Sequence, residues 1–311
     1  MSDYRISVRV LGAGDEAAFE AFLMPRLASS MFLLGNVRQA GIVDTGERYS
    51  GTYVGAFEDG EMVGVVAHFW NGALMCQVSA PHTDALLGPL WRAAVAASGR
   101  PIKGVLGPDE QAVRIQAELM MPDEIVQLNH REKLYDLALP DLVVPEPLAK
   151  GAVSARLAAQ DDVATLVAWR VGYETETMGT TDTTEYRADV QRRIGRLIDD
   201  GTVWLLVRDG VPVATTGFNA VLDEAVQVGG VYTPPENRSR GYARAAVAGS
   251  LLAMRDRGAS QGILFTADSN IPAQKAYEAL GFRHVGYFRL CRLWEGARIR
   301  SDERCVTRQG R

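Results

Sequence analysis

Apolar residues occur in two pairs of short runs, and an Asp-Gly dipeptide separates the runs of each pair. Residues 52–57 and 62–69 flank Asp59-Gly60, and Val203–Arg208 and residues 211–218 flank Asp209-Gly210. An Asp-Gly pair between apolar runs indicates a tight β-hairpin, because both residues tolerate positive φ angles. The pattern therefore predicts a hairpin at each of these places.

A strand and a capped helix precede each predicted hairpin. The apolar positions Ile6, Val8 and Val10 predict a short strand, and Asp15 then precedes a run with helical periodicity. The same order returns in residues 153–169, with Asp161 or Asp162 at the helix start. Two copies of one domain explain this self-similarity, although independent use of common strand, cap and turn signals would give the same pattern.

Prolines and a glycine lie between the two copies. Pro140, Pro145, Pro147 and Gly151 predict a linker. We therefore expect a first domain over residues 1–140, a linker over 141–152, a second domain over 153–296 and a C-terminal tail over 297–311. The arginine-rich tail fits a closing strand and a frayed terminus equally well.

Residues 224–257 of the second copy predict a strand, a basic turn and a helix. Gly229-Gly230 interrupts the strand and predicts a bulge, and the turn ends at Gly241. The unsatisfied amides of a helix that starts there would bind phosphate or pyrophosphate. Arg238, Arg240 and Arg244 add positive charge. A solvated basic helix start with a glycine turn fits the same residues.

A second helix follows the next predicted strand of this copy. Asn270 is expected at its N-cap, Pro272 in its first turn and Gly281 just past its end. Tyr277 lies two turns along the face that begins at Asn270. A buried aromatic side chain is the ordinary explanation for a tyrosine at that position.

The two segments together resemble the GNAT superfamily of acyl-CoA N-acyltransferases. Residues 238–243 (RSRGYA) match its pyrophosphate signature, and Asn270, Ala273, Tyr277 and Gly281-Phe282 match its later cofactor motif. Residues 231–236 (VYTPPE) resemble a tandem-domain bacterial branch, and residues 31–38 (MFLLGNVR) resemble the degenerate companion domain of that branch. The resemblance implies an α/β (α+β) fold of two tandem GNAT-like domains. Each would be a mixed, twisted sheet flanked by helices, with splayed central strands in the C-terminal domain.

The resemblance also implies roles for individual residues. Acetyl-CoA would be the co-substrate, with its pantetheine arm between the splayed strands and no metal at the site. The implied cofactor-binding residues are Val231, Tyr232, Thr233, Arg238, Ser239, Arg240, Gly241, Tyr242, Ala243, Arg244 and Asn270. Tyr277 would donate a proton to the leaving thiolate, and the acceptor would be the amine of a small molecule or peptide.

The general base is the least defined part of this hypothesis. Residues 226–230 contain no acid, although families of this type often place a glutamate there. Glu224, Glu174 and Glu176 are candidate bases acting through water, and the last two would equally suit recognition of a cationic substrate. Asp268 is a further acid near the expected cleft, where a turn or cap role is the simpler explanation. A sensor or pseudoenzyme that binds acyl-CoA without transfer is therefore the alternative function.

The first copy lacks an equivalent of the basic loop. Residues 80–84 (APHTD) follow its strand, and no glycine or arginine pattern precedes the next helix. We expect residues 1–140 to be non-catalytic. They would either complete the acceptor pocket or carry the interface of a homodimer.

Composition and charge limit the classes of partner that this chain is expected to bind. The chain of 311 residues is 47% hydrophobic and 23% charged with a net charge of −5, which is typical of a globular protein and disfavours general nucleic-acid binding. We see no membrane-spanning run or signal peptide and expect a cytoplasmic protein. Cys76, Cys291 and Cys305 lack metal-ligand spacing and are expected to be reduced thiols.

Overall fold

The computed structural model describes residues 6–299 and divides the chain into two compact units. The first unit takes in the described residues up to Leu134 and those from Val285 onward, and the second is Tyr135–His284. The strands are β1 Ile6–Val10, β2 Gly51–Glu58, β3 Glu61–Phe69, β4 Ala73–Val78, β5 Gly104–Pro108, β6 Val126–Ala138, β7 Ser154–Leu157, β8 Val203–Arg208, β9 Val211–Val221, β10 Ala225–Tyr232, β11 Gln261–Ala267 and β12 Arg283–Leu293. The helices are α1 Glu16–Leu23, α2 Leu27–Ala40, α3 Thr83–Ser98, α4 Asp109–Glu118, α5 Glu146–Ala149, α6 Val163–Met178, α7 Thr184–Asp199, α8 Tyr242–Arg255 and α9 Ile271–Glu278.

The two units have the same strand order. The first unit has the order β1-β2-β3-β4-β5 followed by β12, and the second has β7-β8-β9-β10-β11 followed by β6. In each unit the fourth and fifth strands are parallel, whereas the other registered pairs among the first five are antiparallel. This correspondence confirms the predicted fold class of two mixed α/β units.

Both predicted hairpins are confirmed. β2 pairs with β3 around Asp59-Gly60, and β8 pairs with β9 around Asp209-Gly210. The φ angles are 51° and 91° in the first turn and 50° and 79° in the second. Positive φ at both turn residues matches the right-handed twist of the flanking strands.

An arginine–aspartate pair repeats at the start of each unit. Asp15 accepts hydrogen bonds from Arg9 at 2.5 and 2.6 Å and from the Gly12 amide at 2.9 Å. Asp162 accepts them from Arg156 at 2.6 and 2.8 Å and from the Ala159 amide at 2.8 Å. The arginine lowers the pKa of Asp15 to about 2 and also lowers the pKa of Asp162. Both aspartates occupy the predicted N-caps, yet their carboxylates bind the preceding strand and turn rather than amides of the helix.

Packing divides the chain at residues other than the predicted boundaries. Tyr135, Leu137, Leu139 and Leu142 belong to the core of the second unit, so this core begins before residue 153. Residues after Val285 belong to the first unit, where β12 pairs with β5. Ile299 pairs with Ile102, and the remainder of the predicted tail lies outside the described residues.

One helical stretch differs from the expectation of no membrane-spanning run. By length and composition, Glu16–Ala40 is apolar enough to cross a membrane. Helices buried in a protein core meet the same criterion, and Phe19, Leu33 and Leu34 of this stretch are fully buried in the first unit.

Candidate functional site

The parallel strands β10 and β11 of the second unit separate partway along their length. Their ladder runs from Ala225↔Gln261 to Val228↔Leu264. Beyond it β10 continues to Tyr232 and β11 to Ala267 without further pairing to each other. Gly230 and Val231 lie in a bulge between Gly229 and Tyr232, which pair with β9. The unpaired ends leave backbone groups of β10 facing the gap, as the predicted splayed strands require.

The basic turn leads from β10 into the N-terminus of α8. Ser239 and Gly241 both have positive φ angles, 61° and 75°. Gly241 is the N-cap residue of α8, and no side chain caps the first amides of this helix. A Cβ atom at Gly241 would meet only Arg244 Nη2 at 3.8 Å, so the space before the helix is clear. Turns of this kind direct successive N–H groups toward an anion.

Two buried polar atoms beside this turn have no hydrogen-bond partner within the described residues 6–299. They are the hydroxyl oxygen of Thr233 and the Nε of Arg244. A buried polar group without a partner costs about 1–3 kcal/mol, so groups of this kind are expected to meet a ligand or an ordered water. Thr233 follows the gap and Arg244 lies in the first turn of α8, and both therefore fit a ligand that extends from the gap to the helix N-terminus.

Further positive charge lies beside the first helical residue. Arg208 Nη1 donates a hydrogen bond of 2.8 Å to the hydroxyl of Tyr242. This bond lowers the pKa of Tyr242, and Arg240 acts on it in the same direction. The sequence pattern missed Arg208, because its position next to Tyr242 depends on the packing of β8 against α8. The turn is thus bordered by cationic side chains from two elements.

Arg238 makes its contacts with α6 and with β10. Its Nη2 lies 2.6 Å from Glu176 Oε2, and its Nε donates to the Thr233 carbonyl at 3.0 Å. The hydroxyl of Tyr232 donates to Glu176 Oε1 at 3.3 Å. Glu176 is therefore close to the basic turn, and its carboxylate is ion-paired and partly exposed.

Glu174 is held inside the pair of helices α6 and α7. Its side chain is 9% exposed and accepts hydrogen bonds from Arg170 Nε and from the Tyr186 hydroxyl. Arg193 Nη2 lies 3.8 Å from its second oxygen. Two arginines and a tyrosine thus surround this carboxylate. No local sequence pattern indicates these partners.

Glu224 lies at the other end of β10. Its carbonyl oxygen accepts hydrogen bonds from the amides of Ser260 and Gln261, at the start of the β10–β11 ladder. Gly229 lies five positions further along the chain, which corresponds to roughly 16 Å at about 3.3 Å per residue in a strand. The structure therefore does not bring Glu224 together with the gap.

α9 borders the gap from the side of β11. Asn270 is its N-cap, as predicted, and accepts a hydrogen bond from the Ala273 amide at 3.3 Å. Gln274, which the sequence pattern missed, donates to the carbonyls of Ala267 and Asp268 at 3.0 and 2.8 Å and so fixes α9 to the end of β11.

Tyr277 belongs to the same core cluster as Val228 and Leu264, the last paired residues of the ladder. Its side chain is 8% exposed, and its ring lies edge-to-face with Phe282 at 6.1 Å. Tyr277 is therefore placed near the point where the strands separate. Within residues 6–299, no group of three or more His, Cys, Asp or Glu side chains could hold a metal ion.

Comparison with known proteins finds a family match within the second unit. Residues 165–282 match the model of the acetyltransferase (GNAT) family. The chain is similar to a solved GCN5-related N-acetyltransferase from Sphaerobacter thermophilus, with 16% identity, a TM-score of 0.54 and coverage of 94% of this chain and 96% of that one. It is also similar to a tandem GNAT protein from the clavulanic acid biosynthesis pathway (13% identity, TM-score 0.53, coverage 92% and 98%). A Drosophila protein has 12% identity, a TM-score of 0.65 and coverage of 92% and 98%. No curated protein matches the sequence.

Proposed function

We propose, on the premise that residues 165–282 are a GNAT acetyltransferase domain, that the second unit transfers an acetyl group from acetyl-CoA to the amine of a small molecule or peptide. The observation that carries the proposal is the gap between β10 and β11, which leads to the uncapped N-terminus of α8. The unpartnered atoms of Thr233 and Arg244 lie along this path and support a phosphate-bearing, extended ligand.

The residues of the gap divide the binding task in this proposal. Backbone groups of Val231, Tyr232 and Thr233 hydrogen-bond the pantetheine arm like an added strand. Amides from Ser239 to Arg244 hold the pyrophosphate, with Arg240 and Arg244 supplying charge. Asn270 uses its Oδ1 to cap α9, which leaves its side-chain N–H₂ for the arm.

The transfer forms a carbon–nitrogen bond and breaks the carbon–sulfur bond of the thioester. Negative charge that develops on the carbonyl oxygen would be met by the Val231 amide in the bulge. The leaving sulfur takes a proton from the Tyr277 hydroxyl. Tyr277 then takes up a proton from solvent. The amine loses a proton, and Glu176 is the most accessible acceptor for it through water, since its side chain is 40% exposed. Glu174 acts as a positioning residue between α6 and α7.

A second candidate function follows from the ion pairs of the acids. Glu174 and Glu176 are both bonded to arginines, and Glu224 lies away from the gap. An acyl-CoA sensor or pseudoenzyme would need the same cofactor contacts and no base. Thiol release in the presence of amines distinguishes the two functions.

The test is turnover of acetyl-CoA with a panel of primary amines, measured as free thiol. We expect Tyr277→Phe to lower kcat by about 10²–10⁴-fold while the Kd of coenzyme A stays unchanged. Tyr135→Phe is the matched control, because Tyr135 is another buried tyrosine of the same core whose hydroxyl donates to Glu278 at 3.0 Å. It should lower stability and keep the turnover. Unchanged kcat in Tyr277→Phe would remove Tyr277 from the mechanism, and cofactor binding without thiol release on any amine would favour the sensor.

A further inference from the structure

The first unit contains a strand pair that corresponds to β10 and β11. Its parallel strands β4 and β5 are paired from Ala73↔Gly104 to Met75↔Leu106. β4 then continues to Val78, just before the turn that leads into α3. Val78 therefore occupies the place in the first unit that the end of β10 occupies in the second.

A side chain from α4 already bonds the backbone of Val78. Gln111 Nε2 donates to the Val78 carbonyl at 2.7 Å, and the Val78 amide donates to Gln111 Oε1 at 2.9 Å. One carboxamide thus makes the two hydrogen bonds that a neighbouring strand would exchange with this residue. Gln111 is only 8% exposed, so both bonds are shielded from water.

The opposite face of β4 is closed as well. Gln77 is 6% exposed and its Oε1 accepts hydrogen bonds from the hydroxyls of Ser29 at 2.8 Å and Ser30 at 3.2 Å. Both serines belong to α2, so this helix is bonded to the strand next to Val78. Gln77 is therefore hydrogen-bonded to α2, just as the Val78 backbone is hydrogen-bonded to Gln111 of α4.

β5 also stays close to β4 past the end of their ladder. A Cβ atom at Gly107 would lie 2.7 Å from Cys76 Sγ and 3.0 Å from the Cys76 carbonyl oxygen. Only a residue without a side chain allows this approach, and the φ of 151° at Gly107 likewise favours glycine. The two strands therefore stay in close contact as far as Cys76, and the strand edge that Gln111 binds lies beyond this point, at Val78.

We propose that the first unit is a closed copy, in which Gln111 occupies the strand edge that an extended, amide-bearing ligand would otherwise bind. The class of ligand excluded is a chain of the pantetheine type, whose amides would pair with the edge of β4. The proposal concerns only the first unit and holds whether or not the second unit transfers acyl groups. It adds a physical cause to the expectation, drawn from the missing basic loop, that the first unit binds no cofactor.

Hydrogen exchange at the Val78 amide of the full-length protein tests the proposal. In Gln111→Leu, which keeps the volume and removes both bonds, we expect exchange at Val78 to quicken by about one to two orders of magnitude. Gln111→Glu keeps an acceptor for the Val78 amide and should stay closer to the wild type. Gln116→Leu on the same helix is the matched control, because Gln116 Nε2 has no hydrogen-bond partner among residues 6–299. Unchanged exchange at Val78 in Gln111→Leu would overturn the proposal.

Pantetheine itself is the probe for the ligand. In Gln111→Ala, saturating pantetheine should slow exchange at Val78 again, because the shortened side chain leaves the strand edge accessible. In the wild type, pantetheine should leave exchange at Val78 unchanged. Slowed exchange in the wild type would show that the edge is not closed. No slowing in Gln111→Ala would show that Gln111 is a packing contact rather than an occupant of a ligand position.

Discussion

The buried hydroxyl of Thr233 has no hydrogen-bond partner among residues 6–299. Its contribution to ligand binding can therefore be measured separately from its contribution to stability. We expect Thr233→Val to leave the free energy of unfolding unchanged or slightly improved, because the substitution removes an unsatisfied polar atom. If the hydroxyl meets coenzyme A, the Kd of coenzyme A should rise about 3–10-fold, the value of one ordinary hydrogen bond. Calorimetric titration and thermal unfolding measure the two quantities.

Thr216 provides the matched control for this prediction. Its hydroxyl is also buried without a partner, and it lies on β9 beside Trp204 of β8. Thr216→Val should have the same effect on stability and no effect on the Kd of coenzyme A. Equal affinities in the two variants would contradict a ligand contact at Thr233.

Single residues of the site differ in how far the sequence could define them. Gly241 and Asn270 were predictable, because a helix start and an N-cap depend on neighbouring residues alone. The partners of Glu174 were not, since Arg170 and Tyr186 reach it only through the packing of α6 on α7. The ion pair between Glu176 and Arg238 joins residues far apart in the chain and left no local pattern.

The turn before α8 is the element on which the proposed anion binding depends. Gly241 has a φ of 75° and open space where a Cβ would lie. Gly241→Ala should therefore cost about 1–2 kcal/mol of stability through the left-handed conformation alone. The added methyl group would also lie among the amides that face the phosphate, so we expect the Kd of coenzyme A to rise at least about tenfold.

The second hairpin turn offers a control with the same backbone conformation. Gly210 has a φ of 79° and no atom within 4 Å of its Cβ position. Gly210→Ala should lower the melting temperature about as much as Gly241→Ala while coenzyme A affinity stays at the wild-type value. If both variants bind coenzyme A equally well, the turn before α8 does not hold the ligand.

The elements that depend on neighbouring residues were predicted correctly, whereas the unit boundaries, which depend on contacts between distant residues, were not. The hairpins and α8 follow from turn residues and helix caps. The boundaries of the units do not, because Tyr135 and Leu137 join the second core through β6 whereas β12 returns to the first unit. Strand exchange of this kind requires pairing partners that no short sequence window contains.

At the scale of the whole chain, the two units share a strand order but differ at the place where a ligand would bind, the end of the fourth strand. The second has the bulge, the glycine turn and the unpartnered atoms of Thr233 and Arg244. In the first, α3 follows His82 in a right-handed conformation, and Gln111 binds the end of β4. The two units thus share a strand order, and the features that suit an anion site were found in the second unit among residues 6–299.

The number of coenzyme A molecules per chain follows from this difference. Titration calorimetry of the full-length protein should give one site per chain. Arg244→Met should raise the Kd by about tenfold or more without changing the stoichiometry, because its charge would be lost and its buried Nε has no hydrogen-bond partner among residues 6–299. Arg114→Met on the surface of the first unit, where Arg114 pairs with Asp84, should leave both values unchanged. Two sites per chain, or a loss of binding in Arg114→Met alone, would contradict a cofactor site confined to the second unit.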